Sequence, residues 1–217
     1  MRVLELFAGT RSIGKAFERR GHEVTSVDYD PKFSDVIHAD AYSYLYEHGE
    51  EYDVIWASPC CTTYSVAGLR CHRIKDESGR FTVPTSDYAI QCDRNNADLF
   101  KWFDDHRDMI WFIENPRGQM QHMDFTKCLE DCKTTLCYCQ YGYPTMKATN
   151  IWTTIKSPHW KPMCHPGANH HPKNPKSGER KHVFDTIIRH GEWRSVIPDA
   201  LCDHIVNLCE SSQGGRL

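Results

Sequence analysis

Val3-Leu4-Glu5-Leu6-Phe7-Ala8-Gly9 is the stretch whose reading decides the fold. A short apolar run closed by a small residue and a glycine reads as a buried strand that turns sharply. Residues 11–20 follow as a helix: Ile13, Ala16 and Phe17 recur at spacings of three and four, and Gly21 ends it. Residues 23–27 predict a second strand ending at Asp28, and residues 36–37 a third ending near Asp40. Residues 42–48 read as a short helix, and residues 52–57 as a buried strand that runs into Ser58-Pro59-Cys60. Strands alternating with helices predict an α/β fold, with a mostly parallel sheet covered by helices on both faces.

The alternation continues downstream. Residues 86–106 predict a long helix capped by Thr85 or Ser86, and residues 109–113 a buried strand ending at Glu114-Asn115-Pro116. Residues 134–139 and 150–154 are the last strand candidates, with Cys137 and Cys139 alternating across the first of them. Residues 195–209 predict a closing helix after Val196-Ile197-Pro198. Residues 62–84 lack a clean period and carry Arg70, Arg73, Lys75 and Arg80. A structureless loop of that length is usually functional. Residues 156–181 are rich in Pro, His and Lys and predict a small basic insert. Residues 1–155 and 182–217 would then form one catalytic domain.

Composition bounds the rest. At 217 residues, 40% hydrophobic and 25% charged, the chain is long enough for a core and poorly suited to disorder. No apolar run approaches the roughly 20 residues that cross a bilayer, so no membrane partner is expected. Met1 opens directly on a strand-like run, so no signal peptide is expected and the expected compartment is the cytoplasm. A net charge of −3 neither demands nor excludes nucleic acid. The 11 cysteines are odd in number, which fits reduced thiols better than a disulfide framework.

Two ends of this fold invite chemistry. Gly9 lets a ligand approach backbone, and Asp28 lies where a Rossmann-like site places an acid on ribose hydroxyls. The full G-x-G-x-x-G is absent, which favours a nucleoside cofactor without a pyrophosphate. Cys60 and Glu114 end two strong strands, and a thiol beside a carboxyl suits covalent catalysis with acid assistance. A neighbouring cation or helix start would activate the thiol. Cys61 is expected to turn away from the site if the backbone stays extended.

The order Leu6-Phe7-Ala8-Gly9, Asp28, Asp40, Pro59-Cys60, Glu114-Asn115, Gly142-Tyr143-Pro144 and Ser195-Val196-Ile197-Pro198 resembles the DNA cytosine-5 methyltransferases, over nearly the whole chain. It is most similar to compact phage-type members with a reduced target-recognition region. The resemblance implies the Rossmann-like S-adenosylmethionine-dependent methyltransferase fold. It places Phe7, Ala8, Gly9, Thr10, Asp28, Tyr29, Asp40, Ser58, Arg194 and Ser195 around S-adenosyl-L-methionine. It makes Cys60 the nucleophile toward cytosine C6 and gives Glu114 the pyrimidine N3 and amino group. It implies a monomer acting on double-stranded DNA, with the target base flipped out. Arg70, Arg73, Lys75, Arg80, Lys161 and Lys173 are the expected DNA contacts. The insert is too short to present many side chains to a groove, so weak sequence selectivity is expected.

Two departures from the family pattern stand out. Where a Gln and two Arg are usual, this chain has Thr145, Lys147 and Thr149, so only Lys147 keeps a positive charge for catalysis. Arg194 replaces the usual Asn before Ser195. A guanidinium there suits the cofactor's own carboxylate, or a carboxylated donor that would leave 5-carboxymethylcytosine. Action on free deoxycytidine nucleotides, or a silent DNA-binding subunit, are further readings. Finally, Cys164, His170 and His171 are candidate zinc ligands, with His182 or Cys132 as a fourth. A polar loop on DNA phosphates weighs slightly more, because the segment holds no C-x-x-C pair.

Overall fold

The computed structural model describes residues 1–143, 146–165, 167–171 and 196–214. The expected alternation is present. It begins with β1 (Arg2–Leu6), α1 (Ser12–Arg19), β2 (Glu23–Asp28), β3 (Ile37–His38), α2 (Ala41–His48) and β4 (Val54–Ala57). A short excursion follows, made of α3 (Leu69–His72), β5 (Arg73–Ile74) and β6 (Val83–Pro84). The chain then gives α4 (Asp87–Asp105), β7 (Ile110–Pro116), β8 (Lys133–Cys137), β9 (Ala148–Thr153) and α5 (Asp199–Gly214).

Seven strands form one sheet in the order β3-β2-β1-β4-β7-β9-β8. The first five are parallel, while β9 runs antiparallel to both β7 and β8. This is the mostly parallel, Rossmann-like sheet read from the sequence. The apolar runs follow from double coverage: every residue of β4 is buried. Val54 and Trp56 pack with α1 and α5 residues such as Phe17 and Ile205 on one face. Ile55 and Ala57 pack with Leu45 of α2 and Phe100 of α4 on the other.

The order of strands reverses between β1 and β4. At that switch point the carboxyl ends of the strands open a crevice, which is where such sheets take ligands. Leu6 lies between Val27 and Ala57, and Ala57 lies opposite Ile113. Residues Phe7, Asp28, Ser58 and Glu114 therefore emerge at one level.

Three expectations are corrected. Residues 62–84 are not structureless: β5 and β6 form an antiparallel ribbon, and Asp76 ties its turn. That carboxylate accepts from the Ser78 and Arg80 amides and from the Ser78 and Thr82 hydroxyls. Second, β8 stops at Cys137, and Tyr138–Tyr141 form a 3-10 turn closed by Gly142 at φ 88°. Cys139 therefore leaves the sheet instead of alternating within it. Third, the closing helix starts later than expected, at Asp199, directly after Pro198. Pro198 supplies the carbonyl for the first amides, from Leu201 and Cys202.

Candidate active site

The crevice is walled by Phe7, Ala8 and Gly9 after β1, by Ser58, Pro59 and Cys61 after β4, and by Glu114 and Pro116 on β7. Lys147 and Ile197 close its sides. The β1 turn is strained for a reason: Phe7 has φ 57° and Gly9 φ 49°. A phenylalanine in the left-handed region is a cost that surrounding contacts must hold, and such residues gather at ligand sites. Asp28 is one of those contacts. Its carboxylate accepts from the Gly9 amide at 2.8 Å and the Asp30 amide at 2.9 Å. Beside it Tyr29 is three-quarters exposed. Ser58 accepts the indole N–H of buried Trp56 at 2.8 Å. Asp40 stands apart from the crevice lining, capping α2 by accepting from the Ser43 amide and hydroxyl. Thr10 is half-buried, and its hydroxyl meets that of Ser12.

Glu5, at the floor, was not foreseen. It is 2% exposed, accepts from the Ile13 amide and the Ser26 hydroxyl, and is pushed up to about 7 by burial. Gly14 makes room for it, since a Cβ there would lie 2.5 Å from its carboxylate. Ile197 was also missed. Its amide donates to Ser12, which brings the chain after the insert against the crevice. Arg194 and Ser195 lie outside the described residues.

At the reactive end, the buried Asn115 side chain donates to the Pro59 carbonyl at 3.1 Å. This couples the end of β7 to the turn after β4. Glu114 is 6% exposed and accepts from the Tyr138 hydroxyl at 3.0 Å. Lys147 sits 4.7 Å over the same tyrosine ring. The two adjacent thiols are divided. Cys60 meets the Tyr88 hydroxyl at 2.8 Å and is lowered to about 5. Donation from the Cys92 thiol is the main cause; Tyr88 and the amide of Thr62 add to it, against burial. The groups that lower it are neutral donors; no cation or helix start of the kind expected is among them. Cys61 is pushed up to about 11, by burial and then by the charges of Glu114 and Cys60.

The expectation that Cys61 turns away fails. Cys61 lines the crevice, whereas Cys60 lies toward Tyr88 on α4. The backbone at Cys61 is helical (φ −99°, ψ −6°) and begins a 3-10 turn, so strand alternation ends before it.

The expected DNA contacts divide too. Arg70, Lys75, Arg80 and Lys161 are exposed. Arg73 is not: its side chain is fully buried and cannot meet a phosphate. It donates to the Thr63 carbonyl and hydroxyl, the Thr82 carbonyl and both oxygens of Asp93. Lys173 and Thr145 lie outside the described residues. Of the zinc candidates, Cys164, His170 and His171 come together, and the fourth neighbour is Cys139, not Cys132. His182 lies outside the described residues.

No protein-family model matches the chain. A Frog virus 3 (isolate Goorha) protein described as a probable DNA (cytosine-5)-methyltransferase is 27% identical over 231 aligned positions. The match covers 96% of this chain and all of that protein, so the resemblance read from the motifs runs the length of the sequence. Among solved structures, the S. pombe Dnmt2 methyltransferase matches 70% of this chain with a TM-score of 0.46 and 16% identity. The Entamoeba histolytica methyltransferase EhMeth matches 70% with a TM-score of 0.47 and 13% identity. The matches span about half of each of those solved chains.

Proposed function

We propose that this chain is a DNA cytosine-5 methyltransferase that uses S-adenosyl-L-methionine and a covalent Cys60 adduct. The observation that carries the reading is that a lowered thiol, Cys60, follows one parallel strand and a buried carboxyl, Glu114, lies at the end of the next. The two leave neighbouring strands of the switch-point crevice and are tied through Asn115 and Pro59. The match to the viral protein over 96% of the chain supports it.

The residues at the β1 end suit the cofactor. A turn with Gly9 at positive φ, a carboxylate fixed at the end of β2 and an exposed ring at Tyr29 together suit a nucleoside. Phe7, Ala8, Gly9 and Thr10 would hold its body, Asp28 and Tyr29 its ribose and adenine, and Ser58 the methionine end. When bound, S-adenosylmethionine supplies a methyl group on a positively charged sulfur.

The protein's own part is to make C5 of cytosine nucleophilic. Cys60, whose proton is held less tightly than that of an ordinary thiol, would turn from Tyr88 to add to C6 of a base flipped into the crevice. Glu114 holds a proton at N3 and accepts from the exocyclic amine, and Tyr138 orients it. Negative charge thus reaches C5, which would take the methyl and leave the donor as its neutral thioether; loss of the C5 proton to water then expels Cys60 as thiolate. Lys147, beside Cys61 and Tyr138, would meet the base O2 that the missing arginine would clamp. Arg70, Lys75 and Arg80 would track phosphates across the ribbon.

The test is duplex DNA incubated with enzyme and S-adenosylmethionine, then digested for nucleoside mass analysis. 5-Methylcytosine that disappears with Cys60→Ala is the expected result. Unmodified DNA, or 5-carboxymethylcytosine formed only from a carboxylated donor, would refute the reading as stated.

A further inference from the structure

Away from the crevice, four soft ligands converge from two distant stretches of chain. Cys139 sits in the 3-10 turn after β8, while Cys164, His170 and His171 come from the segment beyond β9. Their ligand atoms all lie within 4.8 Å of one another. Cys164 Sγ is 2.8 Å from His171 Nε2 and 3.4 Å from His170 Nε2. Ordinary Zn–S and Zn–N bonds in a tetrahedron separate the ligand atoms by about 3.3–3.8 Å, so small adjustments close the set.

The local backbone explains the convergence. Gly167, at φ 80°, reverses the chain, and the Ala168 and His171 amides donate to the His165 and Ala168 carbonyls. Two imidazoles are thereby folded back over Cys164, with ring centroids 4.4 Å apart and planes at 82°. A polar loop on phosphates would need these side chains outside. Instead His171 is 2% exposed and Cys139 is 5% exposed, while His170 stays exposed at the rim of the set.

We propose that Cys139, Cys164, His170 and His171 bind one zinc ion that fastens the segment after β9 to the catalytic sheet. Two thiolates and two imidazoles with no water position form a closed, structural set. The need is local. Among the described residues, 156–171 contain no helix or strand, and of their side chains chiefly Trp160, Ala168 and His171 pack inward. A segment with so little apolar surface gains its order from a metal. Cys139 also adjoins Tyr138, the partner of Glu114, so the ion would steady the same turn that orients the carboxyl. The site stands independently of the activity proposed above.

The test is metal analysis of the purified reduced protein, with cobalt(II) titration of the metal-stripped chain. About one zinc per chain is expected, and a tetrahedral thiolate–cobalt spectrum on titration. Cys139→Ser and Cys164→Ser should each lower zinc retention severalfold, while Cys132→Ser and Cys137→Ser keep it. Chelator should lower the melting temperature of wild type and leave that of Cys139→Ser unmoved. If the single variants do not fold, the cobalt titration of wild type decides alone. Folded wild type that holds neither zinc nor cobalt would overturn the proposal. So would zinc kept in full by both ligand variants, or an intact mass two daltons low that marks a Cys139–Cys164 disulfide.

Discussion

Cys60 and Cys61 differ by one position and by opposite environments, and that contrast makes the nucleophile testable without DNA. A thiolate, not a thiol, is alkylated. Iodoacetamide at pH 6.5 is therefore expected to label Cys60 well before Cys61, as peptide mass mapping would read. Labelling should fade as pH falls through about 5, where Cys60 takes up its proton. Labelling of Cys61 first would reverse the assignment. With 5-fluorocytosine duplexes, Cys60→Ala should lose the covalent adduct and Cys61→Ala should keep it. Glu5 gives a second prediction. Its folded value of about 7 lies above the ordinary 4.5, so the folded state holds the proton more tightly than the unfolded one. Stability must then fall as pH rises from about 4.5 to about 7, by about 3 kcal/mol across that window. Glu5→Gln should match wild type at pH 4.5 and exceed it above pH 7 in chemical denaturation. Parallel pH curves for the two proteins would count against it.

Among the elements, the ribbon of β5 and β6 is the least legible in the sequence. Its strands are two residues long, and Arg73 in a polar stretch reads as solvated. What buries it is Asp93, 20 residues on in α4, a partner no local period could announce. Replacing Arg73 with Met should cost about 3–5 kcal/mol, because it leaves the Thr63 and Thr82 carbonyls without their donor and Asp93, which keeps the Tyr64 hydroxyl, without its cation. Denaturant unfolding measures this; a loss under 1 kcal/mol would mean the clasp contributes little. The sheet, by contrast, is legible because strands buried on both faces are mainly apolar, with polar residues such as Glu5 and Glu114 near the crevice. The Asp40 cap has a sequence signal, Asp40 and Ser43 three residues apart, but it competes with the match of Asp40 to the cofactor. Cys139 misleads because the alternation continues through residue 139; the end of β8 is set instead by the turn at Gly142.

For the whole molecule, the proposed catalytic groups at the carboxyl ends of the central strands and the exposed cations Arg70, Lys75 and Arg80 of the excursion after β4 would together give electrostatic DNA binding with little sequence choice. Neutralising Arg70, Lys75 and Arg80 together should flatten the slope of log K against log salt by about 0.9 for each phosphate no longer neutralised. Fluorescence anisotropy over a salt series reads this, and an unchanged slope would remove the ribbon from the interface. The motifs at Phe7, Asp28, Cys60 and Glu114 are legible because each lies at a strand end or a turn whose chemistry is local. The corner that joins Cys139 to Cys164 is not legible, since it depends on two segments meeting. The Arg73 clasp has a mechanical consequence as well. Its guanidinium is pinned on every side to residues before β5, beside β6 and on α4, so the root of the ribbon is a fulcrum. Only the arm past it, out to the turn at Gly79, has leverage to swing. A short arm on a fixed pivot sweeps a small arc, which would restrict any grip on phosphates to the few nearest that pivot.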